Sequence, residues 1–453
     1  QAVVLNNNTF LLANCCTAQA ALLNATTLAW TGTGTGKYDI NDEENWSLLP
    51  NGKVLTVDAY VSTGTCGTGS EIYNPSTGVW SSAGSTLNQL SDCSGNKSYE
   101  VGPQPLRPDG TLVAFGGTTI GAAHTSIYTS SSGTWASGPD LPSISGQYYN
   151  LADAPAAVLP NGAILFAASP GLFTSPTHFF EFSTGNVISQ VADATNAASF
   201  TSYQWMFLVL PTGQILVAEL DGNTVQLYNP SGTYSSSWQP VISSLSSYTL
   251  APGSTYQVSG TQLNGLSQGA YYGDDQQSST NYPIVRITNN ATGHVFFART
   301  SGWSNSSIAS GNASTANFLV AAATETGASQ LVVIANGIPS APTAVTIGSG
   351  GTYTLSVSVI GNSGGTVTSS PSGINCGSTC SHDFTAGTTV TLTATPASGW
   401  FFGVWGGACG PSSCSVTMNS PQNVLATFGP IPNVFAGKGP MLNDPSLPII
   451  PPP

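Results

Sequence analysis

A turn motif that returns about every 50 residues constrains the fold of this chain more than any other feature. Each copy has a proline followed two residues later by a glycine, and each lies between two short apolar stretches. This pattern predicts a β-hairpin with a two-residue turn. The four clear copies are Leu49-Pro50-Asn51-Gly52, Arg107-Pro108-Asp109-Gly110, Leu159-Pro160-Asn161-Gly162 and Leu210-Pro211-Thr212-Gly213.

A second hairpin motif follows these turns. It runs from an aromatic or apolar residue at the end of one strand, through a turn rich in Asn, Pro, Ser and Gly, to a tryptophan that opens the next strand. Two hairpins per period give four strands, which is the pattern of one propeller blade. A degraded first motif at 5–11 brings the blades to five. The tryptophans expected in the blade cores are Trp30, Trp80, Trp135 and Trp238.

The period and turn chemistry of residues 1–245 resemble the kelch repeat, whose double glycine is present once, as Gly116-Gly117. The resemblance implies a kelch-type β-propeller. Propellers of this kind more often have about six or seven blades, and the chain begins at a blade boundary, so we expect further blades upstream. A closed five-bladed ring is the alternative.

Residues 246–347 change character, and their strand and turn spacing predicts an immunoglobulin-like β-sandwich. Strands are expected around Val258, Val285 and Val333. The stretch from Ala335 to Ser340 resembles the last strand of the sandwich that follows the propeller in galactose-oxidase-like proteins. The predicted fold class is therefore all-β throughout.

Residues 348–429 form a third unit with two close cysteine pairs and a Gly-Trp-Phe-Phe stretch at 399–402. This unit resembles the small all-β repeat of bacterial surface proteins, related to internalin-type B repeats. The resemblance implies a bacterial source and a place at the cell surface. Residues 430–453 form a Pro-rich tail, which is expected to be extended.

Composition excludes some classes of function. Only 6% of residues are charged, the net charge is −13, and seven residues are Lys or Arg, which argues against nucleic-acid binding. No apolar stretch reaches the length of a membrane span. The chain opens with Gln1 inside a strand pattern, so we expect a removed signal peptide or a missing upstream region. Glycosylation sequons stand at Asn7, Asn24, Asn45, Asn96, Asn290, Asn305 and Asn312.

Eight cysteines, together with the low charge and the repeated β units, point to an extracellular location. We expect local disulfides between Cys376 and Cys380 and between Cys409 and Cys414. A four-thiolate zinc site is the alternative for these four. Further inter-loop disulfides of undetermined pairing are expected among Cys15, Cys16, Cys66 and Cys93.

The few carboxylates cluster before the first strands of successive blades. Loops at that position ring one end of a propeller channel, where a ring of oxygens can hold Ca²⁺. We therefore predict a calcium site at the channel mouth formed by Glu44, Glu100 and Asp153; no other cofactor is expected. A solvated acidic loop or N–H-capping carboxylates are the alternative. The same two alternatives, a calcium site or a solvated acidic loop, apply to Asp274 and Asp275. The loop that carries Glu44 also contains the acidic residues Asp39, Asp42 and Glu43.

The galactose-oxidase-like resemblance implies one enzyme hypothesis, a copper radical oxidase. That family needs two histidines, two tyrosines and a cysteine crosslinked to one tyrosine. His124 and His178 both open a third blade strand, but no Tyr and Cys stand in the family's motif contexts. We therefore predict that the protein is not an enzyme, with a secreted oxidase or carbohydrate-active enzyme as the alternative.

The tail suggests self-association. Its apolar residues suit an extended segment laid in a groove or added to a sheet edge of a neighbouring copy, and such a head-to-tail contact would build a filament. We predict a secreted or surface protein for adhesion, binding or structure, with glycans or surface polymers as other partners. A tail folded back on its own chain is the alternative. The tail residues expected in the contact are Ile431, Phe435, Leu447, Ile449 and Ile450.

Overall fold

The computed structural model describes residues 1–59, 67–92, 100–118, 121–220, 222–268, 270–272, 276–278, 282–348, 351–361, 364–385, 388–418 and 420–431. Cys66, Cys93, Asn96, Asp274 and Asp275, with the tail from 432 onward, lie outside the described residues. The chain divides into two compact units, 1–348 and 349–453, and each is described by itself.

Unit one begins with five small antiparallel sheets in succession, which we name blades 1 to 5. Blade 1 contains β1 (Ala2–Val4), β2 (Phe10–Ala13), β3 (Ala20–Leu23) and β4 (Trp30–Thr33). Blade 2 contains β5 (Ser47–Leu48), β6 (Val54–Val57), β7 (Gly69–Asn74) and β8 (Val79–Ser85). Blade 3 contains β9 (Thr111–Phe115), β10 (Thr125–Thr129) and β11 (Thr134–Ser137). Blade 4 contains β12 (Pro155–Val158), β13 (Ile164–Ala168), β14 (His178–Phe182) and β15 (Ile188–Gln190). Blade 5 contains β16 (Trp205–Val209), β17 (Ile215–Glu219) and β18 (Val225–Tyr228).

The repeated proline turns have one structure, and their loops are one residue longer than predicted. In the first copy, Gly52 N–H donates to the Leu49 carbonyl (2.9 Å) and Leu49 N–H to the Lys53 carbonyl (2.8 Å). The loop therefore has three residues, because a type I turn is followed by a left-handed glycine, with φ 78° at Gly52. The equivalent glycines Gly110, Gly162 and Gly213 make the same bond and have φ of 83°, 84° and 84°.

Neighbouring blades are joined by shared apolar cores. One core spans blades 1, 2 and 3, a second spans blades 3 and 4, and a third spans blades 4 and 5. No such core joins blade 5 to blade 1 within the described residues, and no closed propeller is seen there. The closed five-bladed ring considered from the sequence is therefore not observed.

The predicted blade tryptophans differ in burial. Trp80 is buried in the core of blades 1 to 3, and Trp135 and Trp238 are half-buried. Trp30 is exposed, so its expected place in a blade core is wrong. The reason is that the strand register places Trp30 on the side of blade 1 opposite Val3 and Leu11, which pack on blade 2.

The strands that follow blade 5 are β19 (Val241–Leu245), β20 (Thr249–Leu250), β21 (Thr255–Thr261), β22 (Ala270–Tyr272), β23 (Gln276–Ser278), β24 (Ile284–Asn289), β25 (Val295–Ala298), β26 (Thr300–Ser301), β27 (Ala313–Leu319), β28 (Gly327–Ala335), β29 (Ile338–Pro339) and β30 (Thr343–Ile347). Two sheets, with strand orders β19-β21-β27-β26 and β20-β30-β28-β24-β25, pack around a single core. The immunoglobulin-like fold of this sandwich stays a prediction. The Asn336-Gly337 pair forms a tight hairpin between β28 and β29, so the last strand of the sandwich is β30 and not the stretch 335–340.

The hairpin of β22 and β23 leaves the sandwich and extends a blade. β22 pairs antiparallel with β12, the first strand of blade 4. Three short 3₁₀ turns complete unit one, at Ala197–Ser199, Ser202–Gln204 and Ser236–Trp238. The blades and the sandwich therefore share both a sheet and a compact unit.

The strands of unit two are β31 (Thr352–Ile360), β32 (Gly365–Ser370), β33 (Asn375–Cys376), β34 (Ser381–Thr385), β35 (Thr389–Pro396), β36 (Trp400–Gly407), β37 (Ser415–Thr417) and β38 (Gln422–Pro430). They form two four-stranded sheets around one core. The strand orders are β34-β31-β38-β36 and β33-β32-β35-β37, and β31 runs parallel to β38.

Candidate cation sites

Three carboxylates from the loops before blades 2, 3 and 4 come together. One oxygen each of Glu43, Glu100 and Asp153 lies within 4.8 Å of the others, and all three residues are half-buried. The structure does not bring Glu44, which the sequence prediction named, into this group, because the Glu44 carboxylate is bonded to Lys37 and Thr56. Its neighbour Glu43, which has a left-handed backbone (φ 54°), takes that place.

Bonds between blades hold these three loops in place. The Asn45 side-chain amide donates to the Gly102 carbonyl (2.8 Å), and the Ser47 hydroxyl donates to the Gln104 carbonyl (2.7 Å). Leu151 N–H donates to the Gly116 carbonyl across to blade 3 (3.2 Å). Carboxylate oxygens are ligands that Ca²⁺ takes. The calcium site predicted at the end of the blades stays a prediction, now with Glu43, Glu100 and Asp153 as ligands.

The double glycine belongs to the same region. A Cβ atom on Gly117 would lie 2.4 Å from the carbonyl oxygen of Glu100, closer than real contacts allow. A Cβ on Gly116 would lie 2.9 Å from the carbonyl oxygens of both Leu90 and His124. Glycine is therefore needed because the loop that carries Glu100 passes directly over this backbone.

A second acidic cluster lies inside blade 2, around the fully buried Lys37. The Lys37 ammonium contacts Asp39 and donates to Glu44 Oε2 (3.1 Å) and to Glu71 Oε2 (3.1 Å). It also lies 5.3 Å from the centroid of the Trp80 ring. The loop that carries Lys37 is fixed on β8, because Trp80 N–H donates to the Thr35 carbonyl (2.8 Å).

Glu44 has no exposed surface, and both of its carboxylate oxygens accept hydrogen bonds. It accepts from Lys37, from the Thr56 hydroxyl (2.9 Å) and from the Trp46 indole N–H (3.1 Å). The backbone N–H of Tyr38 donates to Glu71 Oε1 (2.8 Å). This network ties the loop between blades 1 and 2 to two strands of blade 2.

Burial shifts the protonation of the cluster. Burial, and then the charge of Glu44, raises the pKa of Asp39 from 3.8 to about 8. Burial, and then the charges of Asp39 and Glu71, raises the pKa of Asp58 from 3.8 to about 7. Burial alone would lower the pKa of Lys37, but the surrounding carboxylates outweigh it and raise this pKa, so Lys37 remains a cation.

Three of the four histidines pair with carboxylates. His124 Nδ1 lies 2.6 Å from Asp140, and His178 Nδ1 lies 2.7 Å from Asp193, at matching positions of blades 3 and 4. His294 makes the same kind of pair with Glu325, at 2.7 Å. In the described part of the chain, no group of metal-ligating side chains includes a histidine. These pairs join neighbouring segments and do not assemble the ligand set of a copper oxidase.

The cysteines follow the sequence prediction in unit two and depart from it in blade 1. Disulfides join Cys376 to Cys380 (Cα–Cα 4.2 Å) and Cys409 to Cys414 (Cα–Cα 4.8 Å), so a four-thiolate zinc site is not formed. Cys15 and Cys16 are exposed free thiols, so the disulfide predicted at each of them is not formed with any described residue. Both lie in the turn between β2 and β3, where their sulfur atoms are within 4.8 Å of a carboxylate oxygen of Asp42.

One sequon is excluded by the fold. Asn45 is buried and its amide is bonded to Gly102, so it cannot carry a glycan in the folded chain. Asn7, Asn24 and Asn290 are exposed, and Asn305 and Asn312 are half-buried.

Sequence comparison assigns the C-terminal unit. The family model of the divergent InlB B-repeat domain matches residues 353–432. This confirms the predicted InlB-type repeat and indicates a bacterial surface protein. The matching model covers only this unit, so the kelch resemblance of blades 1 to 5 stays a prediction. No curated protein matches the chain.

Several solved structures resemble the chain at low identity. A protein of unknown function from Dyadobacter fermentans has 9% identity and a TM-score of 0.33, covering 70% of this chain and 93% of its own. TolB from Acinetobacter baumannii has 13% identity and a TM-score of 0.29, with coverages of 75% and 63%. The β-propeller domain of the Trilobed protease from Pyrococcus furiosus has 9% identity and a TM-score of 0.28, with coverages of 75% and 90%.

No helix among the described residues has the length and apolar character that crossing a bilayer requires.

Proposed function

We propose that this protein is a non-catalytic structural subunit at the bacterial surface, in which blade 5 of one copy packs on blade 1 of the next. The observation that carries the proposal is that blades 1 and 5 each have one apolar face that no other blade covers among the described residues. The match of residues 353–432 to the InlB B-repeat supports the surface location.

The uncovered side of blade 5 is apolar across all three of its strands. The strand register aligns Met206, Ala218 and Val225 in one row and Leu208, Leu216 and Leu227 in the next. Val225 is 62% exposed and Leu227 is 50% exposed. We name these six residues the blade-5 outer face.

The opposite side of blade 5 is buried against blade 4, through Trp205, Phe207 and Ile215. Blade 5 is therefore apolar on both sides, as is blade 4. In β13 of blade 4, Phe166 contributes to the core with blade 3 and Leu165 to the core with blade 5. A strand that is apolar on both sides is typical of a sheet covered on both sides. Blade 5 has this sequence pattern, but among the described residues another blade packs on only one of its two sides.

Blade 1 has the matching feature. Its inner side packs on blade 2 through Val3 and Leu11. Its outer side carries Trp30, which is 51% exposed, at the end of a register row. We name the residues of this side the blade-1 outer face, which consists of Ala2, Leu12 and Ala21 in one row and Val4, Phe10, Leu23 and Trp30 in the other.

A second copy fits both faces because successive blades within one chain already bury faces of this kind on each other. A contact between two different faces is heterologous, so it produces a filament unless the rotation between copies closes a ring. The low content of charged residues gives little repulsion between copies. The contact predicted for the tail stays a prediction, since Ile431 is exposed and Phe435, Leu447, Ile449 and Ile450 lie outside the described residues.

Light scattering after size-exclusion chromatography tests the proposal. We expect the mass of the chain to rise with concentration. The double substitution Leu208→Asp and Leu227→Asp should give monomers with an unchanged melting temperature, because both side chains are exposed.

The matched control is Val295→Asp with Phe297→Asp, two exposed apolar residues of β25 in the sandwich, and it should assemble as the unmodified chain does. A chain that is monomeric at every concentration would overturn the proposal. Assembly that survives in the blade-5 variant but is lost on deleting 430–453 would assign the contact to the tail instead.

A further inference from the structure

We propose that the buried carboxylates of Asp39, Asp58 and Glu71 bind a calcium-type divalent cation, which fastens the loop between blades 1 and 2 to blade 2. This site is separate from the one predicted at the end of the blades, and it does not depend on self-association.

The three residues converge from three segments of the chain. Asp39 lies in the loop after β4, Asp58 directly follows β6, and Glu71 lies on β7. One carboxylate oxygen of each lies within 4.8 Å of the others. The residues are only 1%, 8% and 3% exposed, respectively. Oxygens at these separations can be bridged by one Ca²⁺, whose bonds to oxygen are about 2.3–2.6 Å long.

Unpartnered oxygens provide the second, independent observation. Among the described residues, Asp58 Oδ1 and Asp39 Oδ2 have no hydrogen-bond partner although both atoms are buried. A buried carboxylate oxygen loses its hydration, and without a donor or a cation nothing compensates for that loss. A bound cation at the shared centre supplies the missing partner to both residues.

The charges of the cluster are unbalanced without such an ion. Four carboxylates, those of Asp39, Glu44, Asp58 and Glu71, surround the single cation Lys37, so the ionised cluster carries a net charge of −3, because −4 and +1 sum to −3. A divalent cation reduces it to −1 with every carboxylate ionised.

The donor set indicates which ions fit. All three ligands are carboxylates, and hard oxygen ligands suit Ca²⁺ and Mg²⁺ and not the softer transition metals. Ca²⁺ takes six to eight oxygens in flexible geometry, whereas Mg²⁺ demands a near-ideal octahedron. Ligands that come from a loop, from the residue after β6 and from β7 suit the more tolerant ion, so calcium should bind more tightly than magnesium.

The experiment uses the full chain after treatment with a chelator. Equilibrium dialysis against calcium chloride counts bound ions, and thermal unfolding with calcium or magnesium measures the stabilisation that follows from binding to the folded state alone. We expect Asp58→Asn to lose one calcium per chain and the largest part of the calcium-dependent rise in melting temperature. Asn keeps the shape of Asp and removes an unpartnered buried charge, so the variant should fold at least as well without metal.

The matched control is Asp153→Asn, which lies in the other acidic cluster and should retain the ion that Asp58→Asn loses. Terbium luminescence provides an independent measurement on the unmodified chain. A terbium ion bound at this site should be excited by energy transfer from Trp80, which lies beside Lys37, and added calcium should displace the ion and reduce the emission. The proposal is overturned if Asp58→Asn binds as much calcium as the unmodified chain. It is equally overturned if the unmodified chain binds none or gives no tryptophan-sensitised terbium emission.

Discussion

Glu43 and Glu44 are adjacent in the chain, yet their carboxylates belong to two different acidic clusters. Glu43 meets Glu100 and Asp153 in the loops before blades 2 to 4, while Glu44 is buried beside Lys37 inside blade 2. The backbone at Glu43 is left-handed, with φ 54°. One loop therefore supplies a carboxylate to each of the two clusters.

Removing the central cation should be strongly destabilising. Lys37→Met leaves four buried carboxylates without a positive charge, and breaking such a buried network costs about 3–5 kcal/mol. Urea denaturation at pH 8 measures the loss in the free energy of unfolding. The control is Lys53→Met, since Lys53 makes no ion pair within the described residues. Equal stability of the two variants would show that the network contributes nothing.

Stability should fall as pH rises through the neutral range. Asp39 and Asp58 have folded pKa values of about 8 and about 7, above their usual 3.8. Between pH 3.8 and these folded pKa values, the folded chain therefore binds more protons than the unfolded chain. Their stabilising contribution is fully present below pH 3.8 and is lost as pH rises to about 8. The groups that face them are Lys37, Glu44 and Glu71.

Urea denaturation at pH 5, 6, 7 and 8 in chelator checks this dependence. The free energy of unfolding should fall less between pH 5 and 7 in Asp58→Asn, because this substitution removes one of the two titrating groups. Saturating calcium should flatten it as well, since the ion takes the place of the protons. A decline that is identical in the variant and the unmodified chain would contradict the assignment to Asp58.

The hairpin period was readable from the sequence because the turns require proline and glycine at fixed positions. The acidic loops at the ends of the blades could be predicted because they recur at one position of that period, except at Glu43 and Glu44. Spacing alone does not show which of two adjacent carboxylates joins which cluster. The Lys37 cluster was not predicted because Asp58, directly after β6, and Glu71, on β7, stand in a sequence pattern typical of blade core. The one available signal was Lys37 itself, one of only seven basic residues and placed just before an acidic loop.

A methyl group on Gly117 should disturb the site at the end of the blades. Its Cβ would lie 2.4 Å from the Glu100 carbonyl oxygen, so Gly117→Ala must displace the Glu100 loop, at a cost of about 1–3 kcal/mol. Thermal unfolding measures the cost, and calcium titration in the Asp58→Asn background measures the predicted site at Glu43, Glu100 and Asp153. Gly32→Ala is the control, because nothing lies within 4 Å of its Cβ. Equal effects of the two substitutions would refute the steric argument.

The Cys15 thiol should react slowly at neutral pH despite its exposure. Its hydrogen bond with Cys16, followed by burial and nearby charges, raises the pKa of Cys15 to about 11. Because the thiolate is the nucleophile, alkylation by iodoacetamide should quicken about tenfold per pH unit from pH 7 towards that value. Peptide mass spectrometry measures the rate at Cys15, and Cys16→Ser should change its pH profile. A rate that levels off near pH 8.5 would contradict the raised pKa.

Mixing two assembly-defective variants distinguishes a head-to-tail contact from other modes of association. Leu208→Asp with Leu227→Asp disables the blade-5 outer face but leaves the blade-1 outer face intact. Trp30→Asp with Leu12→Asp does the reverse, and all four side chains are exposed enough for the fold to tolerate the change. Each variant alone should be monomeric.

A mixture of the two has one intact face of each kind. It should therefore give a one-to-one dimer and nothing larger, because each copy retains only one competent face. Sedimentation velocity measures the masses, and Trp30 fluorescence should shift to shorter wavelength as its ring leaves water in the dimer. If blade 5 instead paired with blade 5, the variant with the intact blade-5 face would dimerise alone and the mixture would add nothing. That outcome would replace the head-to-tail filament with a closed two-fold dimer.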